Sequence, residues 1–234
     1  TVETAGRARS AVVVAIDGPS GTGKSSTSRA VAKRLGLRYL DTGAMYRAVT
    51  WWMLANQIDV NDAAAVATAA DKPVLVSGTD PEAPTISVDG RDVSGPIRSA
   101  AVTPAVSAVS AVPEVRARLV ELQRRAAAEA ERSGGIVVEG RDIGTTVLPH
   151  ATLKIFLTAS PEARAARRSA ELKGADAADV EATREALLRR DAADSGRKTS
   201  PMAKADDAIE VDTTDLGLDQ VVDTVVALVE DRLR

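Results

Sequence analysis

The sequence has 234 residues, 44% of them hydrophobic, and 30 Lys+Arg stand against 33 Asp+Glu for a net charge of −3. That apolar share is enough for a sizeable core and excludes a disordered chain, while the lack of positive excess argues against a general nucleic-acid or membrane coat. Without cysteine, and with His150 as the one histidine, the chain has no disulfide framework, thiol nucleophile or Cys- or His-rich metal site.

Residues 1–10 are small and polar and read as a frayed tail. The run Ala11–Ile16 is too short for a signal-peptide core, and no apolar run approaches a membrane span, so a soluble cytoplasmic protein is expected. Val12–Asp17 is rich in β-branched residues, the habit of a strand buried on both faces of a parallel sheet. A glycine-rich turn follows, then a helix from about Lys24 to Leu35 with Gly36 as its stop. Arg38–Leu40 reads as a second strand, and Thr42 as the cap of a helix reaching about Asn56.

Between about residues 61 and 96 the pattern changes. Val74–Ser77 and Thr85–Asp89 read as short strands, and Asp89-Gly90 is a hairpin signal, so a small antiparallel insertion is expected. Helical pattern resumes over Pro113–Arg132 and ends at Ser133-Gly134-Gly135. Further buried strands are expected at Ile136–Glu139, Leu153–Thr158 and Ala208–Asp212, with Arg-rich helical segments between the last two. A closing helix, Leu218–Leu233, places Val221, Val222, Val225, Val226 and Val229 on one stripe. The alternation gives an α/β fold: a five-stranded parallel sheet flanked by helices, formed by residues 11–60 and 97–234. Trp51 and Trp52 read as packing residues, His150 as a structural loop residue, and Asp17 as structural or as a support behind the site residues.

Gly18-Pro19-Ser20-Gly21-Thr22-Gly23-Lys24-Ser25 fits G-x-x-x-x-G-K-[ST] between a buried strand and a helix, the context that makes this phosphate loop credible. Its N–H groups form an anion nest, and the helix adds its positive end. Lys24 supplies a charge for the β- and γ-phosphates, and the Ser25 hydroxyl can ligate Mg²⁺. With Ser26, these residues are the expected ATP site, and Ser25 the expected metal ligand. The loop leaves the phosphoryl acceptor open. No N-K-x-D segment reads guanine, and isolated arginines suit a small anionic acceptor, since the guanidinium fork fits phosphate oxygens. Another small acceptor, or an ATP-binding module without turnover, stays open on these residues alone.

Several blocks together resemble the bacterial cytidylate kinase family: Ile16-Asp17-Gly18-Pro19-Ser20-Gly21, Asp41-Thr42-Gly43-Ala44-Met45-Tyr46-Arg47, Val93-Ser94-Gly95-Pro96-Ile97-Arg98, Glu139-Gly140-Arg141-Asp142-Ile143-Gly144-Thr145 and Arg190-Asp191-Ala192-Ala193-Asp194-Ser195-Gly196-Arg197. The resemblance spans about Val12 to Leu233 and implies transfer of the γ-phosphoryl group of MgATP to CMP or dCMP. It implies that Thr42, Arg47, Arg141 and Arg197 hold the acceptor phosphate, that Ser107, Arg116 and Asp142 read the base, and that Arg190 and Asp194 meet the ribose. Lys24, Arg141 and Arg197 would be catalytic. It also implies a lid, about residues 160–200, in which Arg164, Arg167 or Arg168 could reach the transferring group. The insertion resembles the family's added nucleotide-binding part. Where the family more often has aspartate this chain has Glu139, and Ser107 taken alone is an ordinary polar position in an Ala/Val/Ser-rich helix. The expected partners are small nucleotides (ATP, CMP and dCMP), with no nucleic acid, no membrane and no need for more than a monomer.

Overall fold

The computed structural model describes residues 10–171 and 180–234. The expected tail, apart from Ser10, lies outside the described residues, as do residues 172–179 of the expected lid. Strand β1 (Val12–Asp17) lies at the centre of a five-stranded sheet in the order β2-β6-β1-β7-β8, every pairing parallel. Its partners are β2 (Arg38–Asp41), β6 (Gly135–Gly140), β7 (Leu153–Thr158) and β8 (Ile209–Asp212).

Period-two alternation divides the core between the two faces of this sheet. Val14 and Ile16 of β1, Tyr39 of β2 and Val137 of β6 pack with α1 (Lys24–Leu35) and α8 (Leu218–Arg232), where Val221, Val225 and Val229 form the buried stripe. Ala15, Leu40, Ile136 and Val138 face the other way, onto Met45, Val49 and Met53 of α2 (Thr42–Ala55) and Val115 and Leu119 of α5 (Pro113–Glu131). Burial on both faces is why β1 and β6 read as near-continuous apolar runs.

The insertion begins with α3 (Ala63–Ala69), which an alanine run without an apolar stripe did not announce. Its sheet has three antiparallel strands: β3 (Leu75–Ser77), β4 (Ile86–Val88) and β5 (Arg91–Asp92). The hairpin at Asp89-Gly90 has φ of 51° and 81°, the left-handed pair of a tight primed turn. Arg91 lies over the ring of Trp51, 5.4 Å from its centroid, which ties the insertion to α2. Trp51 and Trp52 pack against the core as expected, and His150 lies exposed in its loop.

One expectation needs correction: the cap of α2 is Asp41, whose Oδ1 accepts from Ala44 N at 3.1 Å, and Thr42 is the first helical residue. Short α4 (Val106–Ser110) leads into α5, and Pro113 sits in the first turn of α5, where its missing N–H is no loss. After β7 come α6 (Pro161–Glu171) and α7 (Val180–Gly196), the described parts of the expected lid. Among the described residues no helix is long and apolar enough to cross a membrane.

Candidate functional site

The loop after β1 leaves the sheet at its C-terminal edge, where open α/β sheets hold their ligands. Gly18 has φ +146° and stands so near β7 that a Cβ would lie 2.3 Å from Leu157 O. Gly21 has φ +82° and a similar clash with the backbone of Arg164, so both positions require glycine. Helix α1 starts at Lys24 with no side-chain cap and no acidic residue in its first turn, which leaves its N–H groups open to an anion.

Lys24 Nζ donates to Gly18 O at 2.6 Å and to Gly140 O at 3.0 Å. Burial, then the charge of Arg141, push its ammonium down to about 7. Ser25 Oγ donates to Glu139 Oε2 at 3.0 Å, and Tyr39 OH donates to Glu139 Oε1. Glu139 is buried, which pushes its carboxyl up to about 7 against the pull of Lys24. Tyr39 was not an expected site residue, because its partner Glu139 lies on a different element; Glu139 stood out in the sequence only as a departure from the family's aspartate, with no role assigned to it.

Asp17 is structural, as expected, and its task is visible. Its carboxylate accepts from Ile143 N at 2.9 Å and Gly144 N at 2.8 Å, fixing the π-helical turn Ile143–Val147 directly after Arg141 and Asp142. Burial pushes this carboxyl up to about 6, with the two backbone donors working against the rise. Between about pH 4 and 6 the folded chain therefore holds more proton than the unfolded one, and stability through this group falls as pH rises. An Asp17→Asn variant lacks this dependence. The stability advantage of wild type over the variant is expected to shrink by up to about 3 kcal/mol from pH 4 to pH 7, read by urea unfolding of both proteins at the two pH values. An unchanged difference would contradict the raised carboxyl.

The expected acceptor residues lie beside the loop. Arg141 Nη2 donates to Ser20 Oγ of the loop at 2.8 Å, while its Nε lies 2.7 Å from Asp194 Oδ2. Asp194 also lies 3.1 Å from Arg197 Nη1 and 3.7 Å from Arg190 Nε: Arg190 and Asp194 share one face of α7, while Arg197, the first residue beyond the helix, reaches the same carboxylate from outside it. Arg190 is lowered to about 9, first by the charge of Arg141, and Arg47 to about 10, first by burial and then by Arg98. Arg47 itself donates to Ile97 O at 3.2 Å and Thr103 Oγ1 at 3.1 Å. Thr42 Oγ1 donates to Glu139 O at 2.7 Å on the cleft wall. A larger cavity of about 270 Å³ lies on the far side of Asp41, between the insertion and α1.

At the other end of the cleft, Arg116 Nη2 donates to Asp142 Oδ2 at 2.7 Å, both side chains 3% exposed. Arg116 Nη1 donates to Ser110 O, and the guanidinium lies over Tyr46, 4.8 Å from the ring centroid. Ser110 lines this cleft and Ser107 does not; one helical turn separates them. About 20 Å³ of open space remains between the ion pairs, so a ligand must rearrange them to enter.

The expected lid arginines divide. Arg164 donates to Ser20 O at 2.7 Å and grips Asp191 of α7 through both terminal nitrogens. Arg167 donates to Gly21 O at 3.3 Å and Thr213 Oγ1 at 2.8 Å. Both hold the loop from behind. Arg168 pairs with Glu171 at 2.9 Å and is half-exposed, and its charge is felt by Arg47 and Arg190.

A family model described as cytidylate kinase matches residues 14–231. A cytidylate kinase of Streptomyces griseus subsp. griseus is 73% identical over 98% of this chain and 96% of that protein. One of Nocardia farcinica is 54% identical over 95% of each. Among solved structures, a gluconokinase from Sinorhizobium meliloti 1021 superposes with a TM-score of 0.50 at 12% identity, covering 95% of this chain and 94% of that one, a likeness of fold. Sequence, sheet order and phosphate loop agree: the chain belongs to the cytidylate kinase family.

Proposed function

We propose that this protein transfers the γ-phosphoryl group of ATP to CMP, and to dCMP, giving the nucleoside diphosphate and ADP. One observation carries the reading: the guanidinium of Arg141 spans from Ser20 of the phosphate loop to Asp194 of the arginine cluster. A donor phosphate on the loop and an acceptor phosphate on the cluster then lie within reach of one side chain, which is what an in-line transfer needs.

Arg141, Arg190 and Arg197 crowd around Asp194 as their close counter-charge, Arg190 also feels the charge of Arg47, and such crowding favours a dianion. Thr42 adds a hydroxyl. The acceptor phosphate is already an anionic nucleophile, so positioning and charge neutralisation carry the rate, and no strong base is required. Arg141 and Arg197 neutralise the acceptor side, and Lys24 the donor side. Arg168, not anchored to the loop, is the lid arginine free to reach the transferring group.

Magnesium suits the loop. Ser25 Oγ and Glu139 Oε2 are hard oxygen donors 3.0 Å apart beside Lys24, and such a cation is held by few protein oxygens with phosphates and water completing its shell. When bound it would neutralise phosphate charge. Tyr39 OH donates to Glu139 Oε1 and so helps orient the carboxylate whose Oε2 meets Ser25.

Cytosine offers an amino donor at N4 and acceptors at N3 and O2. Asp142 accepts the amino group and Arg116 donates to the ring acceptors; uracil presents the reverse at both atoms and leaves buried groups unpaired. A coupled ADP assay across nucleoside monophosphates tests this. CMP-dependent ADP formation is expected, with UMP far behind. In Asp142→Ala, kcat/KM for CMP should fall by about 10²-fold or more while ATP affinity is kept. Equal loss of both would overturn the base-reading role, and ADP formation indifferent to any acceptor would overturn the kinase reading.

A further inference from the structure

We propose that Ser200 is a specificity-determining positioning residue: its hydroxyl fixes the plane of the Asp142 carboxylate so that one oxygen is presented to the amino group of the acceptor base. The inference rests on the reading of Asp142 given above and extends it to a residue outside every sequence block of the site.

Ser200 lies between α7 and β8, 58 residues from Asp142 in sequence. Its Oγ donates to Asp142 Oδ2 at 2.6 Å and lies 2.8 Å from Thr146 Oγ1. Arg116 Nη2 donates to the same Oδ2 at 2.7 Å. One donor would leave the carboxylate free to pivot about its terminal torsion, which is broad and roughly two-fold. Two donors converging on Oδ2 from different elements, α5 and the segment after α7, remove that freedom. Among the described residues no donor is placed on Oδ1, which is then the oxygen left for a ligand.

The backbone of Ser200 supports this reading. Its φ is +47°, the left-handed region, uncommon for a residue with a side chain, and Pro201 follows, which restricts it further. Such a conformation persists where surrounding contacts hold it. Here they do: Ser200 O accepts from Arg197 Nε at 2.8 Å while the hydroxyl reaches Asp142. One residue thus links the phosphate-side Arg197 to the base-side Asp142, and orders both from the end of α7.

The test compares wild type with Ser200→Ala, which removes the hydroxyl, and Ser200→Gly, which removes it and also relaxes the backbone. Steady-state constants are measured for CMP, UMP and ATP, with thermal melting to confirm folding. In both variants KM for CMP is expected to rise about tenfold and the CMP-over-UMP ratio of kcat/KM to fall about tenfold, with KM for ATP and saturating kcat within about twofold of wild type. A purely structural role would not produce that split. An unchanged ratio in both variants overturns the proposal. So does a glycine variant equal to wild type beside a damaged alanine variant, since backbone strain would then be the cause. Should one variant fail to fold, the other decides by the same ratio. If wild type itself forms no CMP-dependent ADP, the kinase reading falls and takes this one with it, a result visible before any variant is assayed.

Discussion

Replacing Lys24 with methionine is expected to lower kcat by about 10³-fold and to abolish a proton uptake that accompanies nucleotide binding in the wild type. The ammonium sits on two carbonyls, Gly18 O and Gly140 O, just beyond β1 and at the end of β6. Burial, and then the opposing charge of Arg141, outweigh the pull of Glu139, Asp17 and Asp41 and bring the group down to about 7. A bound polyphosphate adds negative charge directly at the ammonium and raises it again. Above pH 7, binding must therefore draw a proton from solution, and affinity should fall as pH rises. Calorimetric titration at pH 8 in two buffers of different ionisation enthalpy measures the uptake. Equal uptake in Lys24→Met would contradict the assignment. Stability runs the opposite way. The folded pKa lies below the unfolded one, so from about pH 7 to 10.5 the unfolded chain binds more proton, and this group's contribution to stability rises with pH. Methionine has no such slope, and fills the same length without a desolvated charge.

Strands β1 and β6 were legible because burial on both faces leaves runs of valine and isoleucine, the edge strands β2 and β8 only as short apolar pairs among polar residues, and the loop because its glycines meet steric demands written into one contiguous block. The blocks around Arg141 and Asp194 are local too, and the structure brings them together. What stayed hidden depends on pairings across the chain. Tyr39 and Ser25 meet on Glu139, and Ser200 meets Asp142, only after crossovers bring separate segments to one sheet edge. Ser200 lies three residues beyond Arg197, and no spacing in that stretch announces a contact with Asp142. Thr42 and Asp41 are both good caps, and the choice turned on where the chain leaves β2. Ser107 and Ser110 differ by one turn of a five-residue helix, a register that neighbouring packing decides. Arg164 and Arg167 differ from Arg168 in the same way: three arginines on one helix, two of which reach loop carbonyls.

Asp194→Ala should be among the most damaging single changes for stability, and its damage should be partly reversed by an anion. The carboxylate is 4% exposed and stands 2.7 Å from Arg141 Nε and 3.1 Å from Arg197 Nη1, with Arg190 at 3.7 Å. Removing one partner from a buried cluster of charges leaves the others uncompensated, which costs about 3–5 kcal/mol. In a chain of this size that corresponds to a drop in Tm of roughly 10 °C. The pocket then lacks its internal anion, and a dianion such as inorganic phosphate or CMP can take that place without displacing a carboxylate. Ligand stabilisation grows with RT ln(1 + [L]/Kd), so a tenfold tighter Kd adds about 1.4 kcal/mol at saturating phosphate. Melting curves with and without phosphate, at constant ionic strength, should show a larger rise in the variant than in wild type. Equal rises would mean that Asp194 does not share its arginines with the phosphate. Turnover should not recover alongside Tm, because the carboxylate that aligns Arg141 between the loop and the cluster is missing, and a bound phosphate occupies the seat the acceptor needs.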